Sequence, residues 1–356
     1  MANSIVIYGN TLEVIKGIKS DTIDCIITSP PYWALRVYGI EKNTIWGGDP
    51  LCQHEWNKER VGFHPSNWVT LVNSPALQKL CETKPKGDSS HLCPKCGAWM
   101  GLLGSEPSPQ QYVRNILLLT AELFRILKPS GSFYLNIDDT HSKGVVVTRK
   151  SLCGIPEHIV VGMTDSQKWI RRNTIIWEKV NTLPESAKDR FTVNTEYIYF
   201  FVKSQHYYSN LDAVRVPFSD SYIKRSRYST SKLSESLMPT KPCIERTRIK
   251  ALINKLNPLG KNPGNLWRVA QTRPPFLKER IPINHFAYFP PKLIEIPILF
   301  SCPSGGVVLD PFCGSGTTGI VAVKNGRNFI GIDLNMDYCK SASKNISQFS
   351  IQEKLF

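Results

Sequence analysis

The 356-residue sequence predicts an α/β fold, a largely parallel sheet with helices on both faces. Two observations carry this expectation. A β-α-β pattern opens the chain: Ser4 to Tyr8 and Asp24 to Thr28 are short β-rich runs, and between them Leu12, Ile15 and Ile18 recur at helical spacing. A second such pattern closes it, with Val307 to Leu309 and Phe329 to Ile332 as strands around a helix over Thr317 to Lys324.

The elements between them follow in order. From Ile40 to Gly104, Gly, Pro, Trp, Cys and His recur without period, too irregular for sheet or helix and too long for a plain loop, so the stretch reads as an insertion with its own staple. Tyr112 to Leu127 reads as an amphipathic helix closed by Pro129 and Gly131, and Ser132 to Ile137 as the next strand. Asn173 to Trp177 and Glu196 to Val202 are two more strands, expected to form an antiparallel hairpin at the sheet edge. Little periodicity follows until Pro291 to Phe300, which reads as a helix. The expected organisation is core over 1–39, insertion over 40–104, core over 105–204, a basic region over 205–280 and the rest of the core over 281–356.

Composition narrows the function classes. Hydrophobic residues at 41% and charged residues at 21% exclude wholesale disorder. The chain has neither a run of 18 apolar residues nor a basic-then-apolar N-terminus, so a cytoplasmic protein without a membrane span is expected. A formal charge of +15 points to a polyanionic partner such as nucleic acid. Residues 205–280 concentrate it, with 15 Lys and Arg against 5 Asp and Glu.

Gly314-Ser315-Gly316-Thr317-Thr318-Gly319 follows a strand and opens a helix, and Asp333 ends the next strand. That context suits a nucleotide-cofactor loop: glycines let the backbone approach a ligand, and a carboxylate there can accept from two ribose hydroxyls. A tight glycine turn without ligand is the alternative. Only 37 residues follow Gly319, too few to complete a nicotinamide-binding half-sheet, so the remaining strands must come from upstream and the fold looks circularly permuted.

Asp310-Pro311-Phe312-Cys313-Gly314-Ser315-Gly316-Thr317-Thr318 resembles the S-adenosylmethionine loop of the β class of amino-group DNA methyltransferases, D-P-F-x-G-S-G-T-T. In that class the catalytic motif precedes the cofactor motif, as the permutation requires. The resemblance implies a Rossmann-like methyltransferase sheet. It implies further that Phe312 lies against S-adenosyl-L-methionine, that the loop amides contact its methionyl part, and that Asp333 holds the ribose.

The catalytic candidate is Thr28-Ser29-Pro30-Pro31-Tyr32-Trp33, directly after the second strand, where α/β active sites collect. Ser-Pro-Pro also serves as an ordinary strand terminator. An exocyclic base amine is a poor nucleophile because its lone pair is delocalised, so an enzyme needs acceptors for its hydrogens. Ser29 Oγ and the Pro30 carbonyl can supply them, while Pro31 holds φ fixed. Tyr32 is expected to stack on a base taken out of the duplex, with Trp33 extending that wall. The resembling class carries Asp, Asn or Ser before Pro-Pro-Tyr and transfers methyl directly, without a covalent enzyme intermediate.

Further motifs extend the resemblance. Leu127 to Phe133 matches L-K-P-x-G, and Trp177-Glu178-Lys179 through Asn181, Pro184, Glu185 and Glu196-Tyr197 matches the segment beside the base pocket, which places Asn181 and Pro184 there. His285 to Pro290 resembles the cofactor-touching segment, with Phe289 at the cofactor. One departure is Gly9-Asn10, where relatives carry Gly-Asp; the Asn10 amide oxygen can still accept from the cofactor's adenine amine. Pro242-Cys243 is the dipeptide used by cytosine-C5 methyltransferases, but lacks their surrounding motif.

Cys52-x-His54 and Cys93-x-x-Cys96 have the ligand types and spacing that zinc prefers, and a metal could stabilise an insertion with little core. Ordinary thiols are the alternative reading, and Cys81 and His91 are substitute ligands. In the basic region Lys224, Arg225, Arg227, Arg246 and Arg248, interleaved with Tyr222 and Tyr228, suit phosphate and base contacts, although a solvated basic loop has the same composition. The resemblance places target recognition there.

The expected function is sequence-specific methylation of double-stranded DNA at cytosine N4, because Ser29 is neutral where adenine-directed relatives more often carry Asp or Asn. Adenine N6 is the alternative. RNA or protein-glutamine methylation, or a non-catalytic zinc-bearing DNA-binding module, are further ones. A cognate restriction endonuclease on a separate chain, and a monomer or homodimer, complete the expectations.

Overall fold

The computed structural model describes residues 2–34, 44–56, 91–142, 144, 147–182, 184–222, 257–271 and 289–352. Eight strands form the main sheet among these residues: β1 (Ser4–Tyr8), β2 (Ile23–Thr28), β5 (Leu127–Ile137), β6 (Ile170–Glu178), β7 (Thr195–Val202), β8 (Leu266–Arg268), β9 (Val307–Asp310) and β10 (Asn328–Asp333). Their order is β1-β10-β9-β2-β5-β7-β6-β8. The pairs from β1 to β5 are parallel, β7 is antiparallel to β5 and to β6, and β8 is parallel to β6. The N-terminal strand thus lies beside the last one, and β2 pairs directly with β9.

Alternation along the central strands explains why the sheet is covered twice. Ile26, Phe133, Leu135, Tyr199 and Phe201 belong to one buried cluster, together with helices α1 (Thr11–Lys16), α2 (Pro109–Ile126) and α3 (Ile155–Gln167). Their neighbours Cys25, Ile27, Tyr134, Ile198 and Phe200 belong to a second cluster, with α4 (Pro291–Ser301), α5 (Thr317–Lys324) and α6 (Met336–Gln352). Helix α2 starts where Ser108 Oγ accepts from Gln111 N at 3.1 Å and Pro109 occupies the first turn. It buries Tyr112, Ile116, Leu119, Leu123 and Ile126 along one stripe.

Several expectations are corrected. Helix α2 ends at Ile126, and strand pairing already begins at Leu127, opposite Ile23, so Pro129 and Gly131 lie inside β5, within an irregularity in register between Leu127 and Ser132. The β6–β7 hairpin is not the sheet edge, because β8 pairs outside β6. The insertion is not without sheet: β3 (Thr44–Trp46) and β4 (Trp99–Gly101) form an antiparallel ribbon. Helices α3 and α6 were not anticipated.

Two compact units divide the chain, 1–208 with 266–356, and 209–265. In the second, Val216 and Lys261 exchange backbone hydrogen bonds at 3.0 and 2.9 Å, and Phe218 stacks on Tyr222 with centroids 5.3 Å apart. Lys224, Arg225, Arg227, Arg246 and Arg248 lie outside the described residues, as do Cys81 and Pro242-Cys243. Among the described residues no helix is long and apolar enough to cross a membrane.

Candidate active site

The Ser29 to Trp33 loop and the Gly314 to Gly319 loop leave the sheet at the same end. Strands β1, β2, β5, β9 and β10 end there, and the antiparallel β7 begins there, since Ile137 is registered opposite Tyr197. A cleft of about 420 Å³ opens at this edge. Ser29, Pro30, Pro31 and Tyr32 line it together with Asn10, Phe289, Asp310, Phe312, Gly314, Ser315, Thr317, Thr318 and Asp333. The two motifs, almost 300 residues apart in sequence, therefore share one site.

Buried Asp310 couples them. Its Oδ1 accepts from Thr28 Oγ1 at 3.0 Å and from Phe312 N at 3.1 Å, and its Oδ2 accepts from Thr318 Oγ1 at 2.6 Å. Burial pushes its carboxyl up to about 6 against these donors. Asp333 holds the other side of the glycine loop, its Oδ2 accepting from Gly314 N at 2.9 Å and its Oδ1 from Asn335 N at 2.8 Å. Gly316 adopts φ +87°, and a Cβ there would stand 2.9 Å from Ala342 Cα, so only glycine fits between the loop and α6. Pro311 contributes its carbonyl, which accepts from Thr11 Oγ1 at 2.6 Å.

The Ser29 loop is held from the opposite side. Tyr112 Oη donates to the Pro31 carbonyl at 2.8 Å, and Ala34 N to the Gly104 carbonyl at 2.8 Å. Gly104 has φ +92°, and a Cβ on it would come within 3.1 Å of the Tyr32 carbonyl, so the two backbones meet in contact. Gly104 N donates to buried Glu106 at 2.7 Å, and Asn115 Nδ2 to its other oxygen at 2.9 Å. Burial raises Glu106 to about 7.

Within the cleft a directed chain of donors runs from Ser29. Ser29 Oγ donates to Tyr32 Oη at 3.2 Å, and Tyr32 Oη donates to Glu196 Oε2 at 2.8 Å, with Asn136 Oδ1 at 3.1 Å. Asn136 Nδ2 donates to Glu196 Oε2 at 3.1 Å, and Lys179 Nζ pairs with Glu196 Oε1 at 2.5 Å. Burial, then the Glu196 charge, push the Tyr32 phenol well above its ordinary range, so it stays protonated. With its hydrogen committed to Tyr32, Ser29 Oγ keeps its lone pairs as acceptors. Asp138, raised to about 6 by burial, and Trp177 complete this wall.

Three expected base-pocket residues lie outside the lining. Trp33 turns its indole to the Glu106 carbonyl at 2.9 Å, and Asn181 exchanges hydrogen bonds with the Gln271 backbone at 2.9 and 2.8 Å. Pro184 is exposed. Asn10 lines the cleft, but its Oδ1 caps α1, accepting from Leu12 N at 2.8 Å and Glu13 N at 3.3 Å, while Nδ2 donates to Thr44 Oγ1 at 2.5 Å. Asn136, Asp138 and the Trp46 side of the ribbon were missed; the polar residues Asn136, Asp138 and Asp139 at a strand's carboxyl end were the available signal.

The ligand atoms of Cys52, His54, Cys93 and Cys96 lie within 4.8 Å of one another. Cys52 and Cys93 sulfurs are 3.9 Å apart, and Cys96 Sγ is 3.4 Å from His54 Nδ1. A tetrahedral zinc with bonds of about 2.3 Å to sulfur spaces its ligand atoms by roughly 3.8 Å, so the cluster fits that ion.

A glycine loop and an acceptor-rich Ser-Pro-Pro-Tyr loop meet in one cleft, as the resemblance to S-adenosyl-L-methionine-dependent methyltransferases implies. Residues 23–344 match the N6_N4_Mtase family model, described as DNA methylase, and the chain belongs to that family. It is 26% identical to the type II methyltransferase M.SmaI of Serratia marcescens over 96% of this chain and 90% of that one. It is 25% identical to M.Cfr9I of Citrobacter freundii over 93% and 83%. Among solved structures, the cytosine-N4-specific PvuII DNA methyltransferase shares the fold at TM-score 0.56 and 16% identity, over 97% of this chain and 86% of that one. A DNA modification methylase of Thermus thermophilus, crystallised with S-adenosyl-L-methionine, has TM-score 0.50 and 19% identity, over 98% and 95%.

Proposed function

We propose that the chain methylates the N4 amine of cytosine within a specific DNA sequence. The observation that carries this reading is the Ser29 to Tyr32 to Glu196 chain, which leaves a neutral hydroxyl as the acceptor facing the cleft. The cofactor supplies an electrophilic methyl group when bound. Phe289, Phe312 and the loop from Gly314 to Thr318 are the residues to hold it, with Asp333 at the ribose. Ser29 Oγ and the Pro30 carbonyl accept the amine's two hydrogens and draw its lone pair out of conjugation. Tyr32, anchored by its hydroxyl, presents its ring to the base. The PvuII enzyme, which shares this fold, is cytosine-N4-specific, and that supports the choice of base.

Zinc at Cys52, His54, Cys93 and Cys96 serves the insertion's stability and not the methyl transfer, because the ribbon it ties brings Thr44 and Trp46 to the cleft wall and the Thr44 hydroxyl is engaged by Asn10 Nδ2. The type II description of the relatives supports a role in restriction-modification, alongside a separate endonuclease. Expressing the chain in a methylation-deficient host and resolving the DNA nucleosides by mass tests the target base. N4-methylcytosine is expected, and N6-methyladenine alone would overturn the choice of base.

A further inference from the structure

Strands β6 and β7 are joined by residues 179–194, closed at the root where Lys179 N donates to the Asn194 carbonyl at 2.8 Å. Trp177, Lys179 and Glu196 at that root line the cleft, and the connection leaves the sheet at the edge that carries Ser29 to Tyr32. Three apolar side chains on it face water: Phe191 is 96% exposed, Val180 57% and Val193 39%. The connection is nonetheless braced. Arg190 pairs with Glu185 at 2.6 Å, Val193 N donates to Glu185 at 3.4 Å, Asp189 pairs with Lys150 at 2.5 Å, and Asn181 is tied to Gln271. A phenyl ring is therefore presented to solvent on a structured loop beside the site.

We propose that Phe191 is a wedge that enters the DNA base stack as the target base leaves it. The proposal rests on the reading of the substrate as a base held outside the duplex in the cleft. The acceptors at Ser29 lie in a recessed pocket, so an amine paired inside a duplex cannot reach them until its base rotates out. That rotation leaves a gap one base wide between two stacked neighbours. A flat apolar ring fills such a gap and recovers stacking, and every base offers it a π face whatever the sequence. Lys188 and Arg190 just precede Phe191 on the same loop and bring positive charge for a flanking phosphate, with Arg190 held by Glu185.

The test uses the full-length protein and two oligonucleotide duplexes carrying the site mapped from methylated host DNA. In one the target base is paired, and in the other it is mispaired, so that little stacking and pairing energy opposes its exit. Phe191→Ala should methylate the paired duplex at least about tenfold more slowly than wild type and recover to within about threefold on the mispaired one. Phe191→Trp should keep the wild-type rate. Cofactor affinity, measured by titration, should be unchanged in both variants, which separates a wedge from misfolding. An unchanged rate for Phe191→Ala on the paired duplex, or an equal loss on both duplexes, would overturn the wedge. Wild-type protein that methylates neither duplex would instead remove the underlying substrate reading, and the wedge with it.

Discussion

Tyr32 Oη donates to Glu196 Oε2 across 2.8 Å, and the other Glu196 oxygen is held by Lys179 at 2.5 Å. The carboxylate thus sets the direction of the hydroxyl chain two steps before it reaches Ser29. Tyr32→Phe and Glu196→Gln should each lower kcat by about tenfold to a hundredfold, with KM for DNA little changed because the ring face remains. The double variant should be no worse than the more impaired single one, because both remove the same chain. Multiplicative losses in single-turnover assays would show that the two residues act separately.

The proposed cofactor and base residues of the cleft are different side chains, so mutation should separate the two roles. Tyr32→Ala should nearly abolish methyl transfer while S-adenosyl-L-methionine titrates as in wild type. Asp333→Ala should cost about 1 to 3 kcal/mol of cofactor affinity, from lost ribose hydrogen bonds and from release of Gly314 N. Isothermal titration of both variants checks this. Similar cofactor affinity for Asp333→Ala and wild type would remove Asp333 from the site.

Glu106 gives stability a defined pH dependence. Its carboxyl lies at about 7 in the folded chain against an ordinary 4.5, so between these values the folded state retains a proton that the unfolded chain has released. This contribution is complete below pH 4.5 and is lost as pH rises through 7, on the order of 3 kcal/mol. Asp310, raised from 3.8 to about 6, acts with the same sign. Chemical unfolding from about pH 5 to 8 should show stability falling in wild type and a flatter profile in Glu106→Gln.

Purified protein should contain one zinc per chain, lost in Cys93→Ser and Cys96→Ser. Removing it should lower the unfolding midpoint, since the ribbon of β3 and β4 has little core of its own. Elemental analysis beside thermal unfolding decides. Metal-free protein of wild-type stability and full activity would leave ordinary thiols at these positions.

The site was legible where its residues are contiguous. Gly314 to Gly319 and Ser29 to Trp33 are unbroken strings at strand ends, and the cleft takes Gly314, Ser315, Thr317 and Thr318 from the first and all but Trp33 from the second. Lys179 and Glu196 fall in the segment already matched to the base-pocket motif, whereas Asn136 and Asp138 join them only through the register that sets Ile137 opposite Tyr197. No local period encodes that register. β8 and the ribbon strands were missed because three residues carry too little alternation to read. Helix α6 was readable, since Tyr338, Ala342 and Ile346 recur every four residues on its buried side. Trp33 misled because adjacency to Tyr32 does not fix side-chain direction: its indole bonds away from the cleft to Glu106.

Ser29 is the proposed acceptor that makes the amine reactive. Single-turnover transfer of labelled methyl from S-adenosyl-L-methionine to duplex DNA, in wild type and Ser29→Ala with cofactor affinity measured alongside, tests it most directly. A loss of about a hundredfold or more, with affinity within about twofold of wild type, is predicted. Wild-type transfer by Ser29→Ala would contradict it.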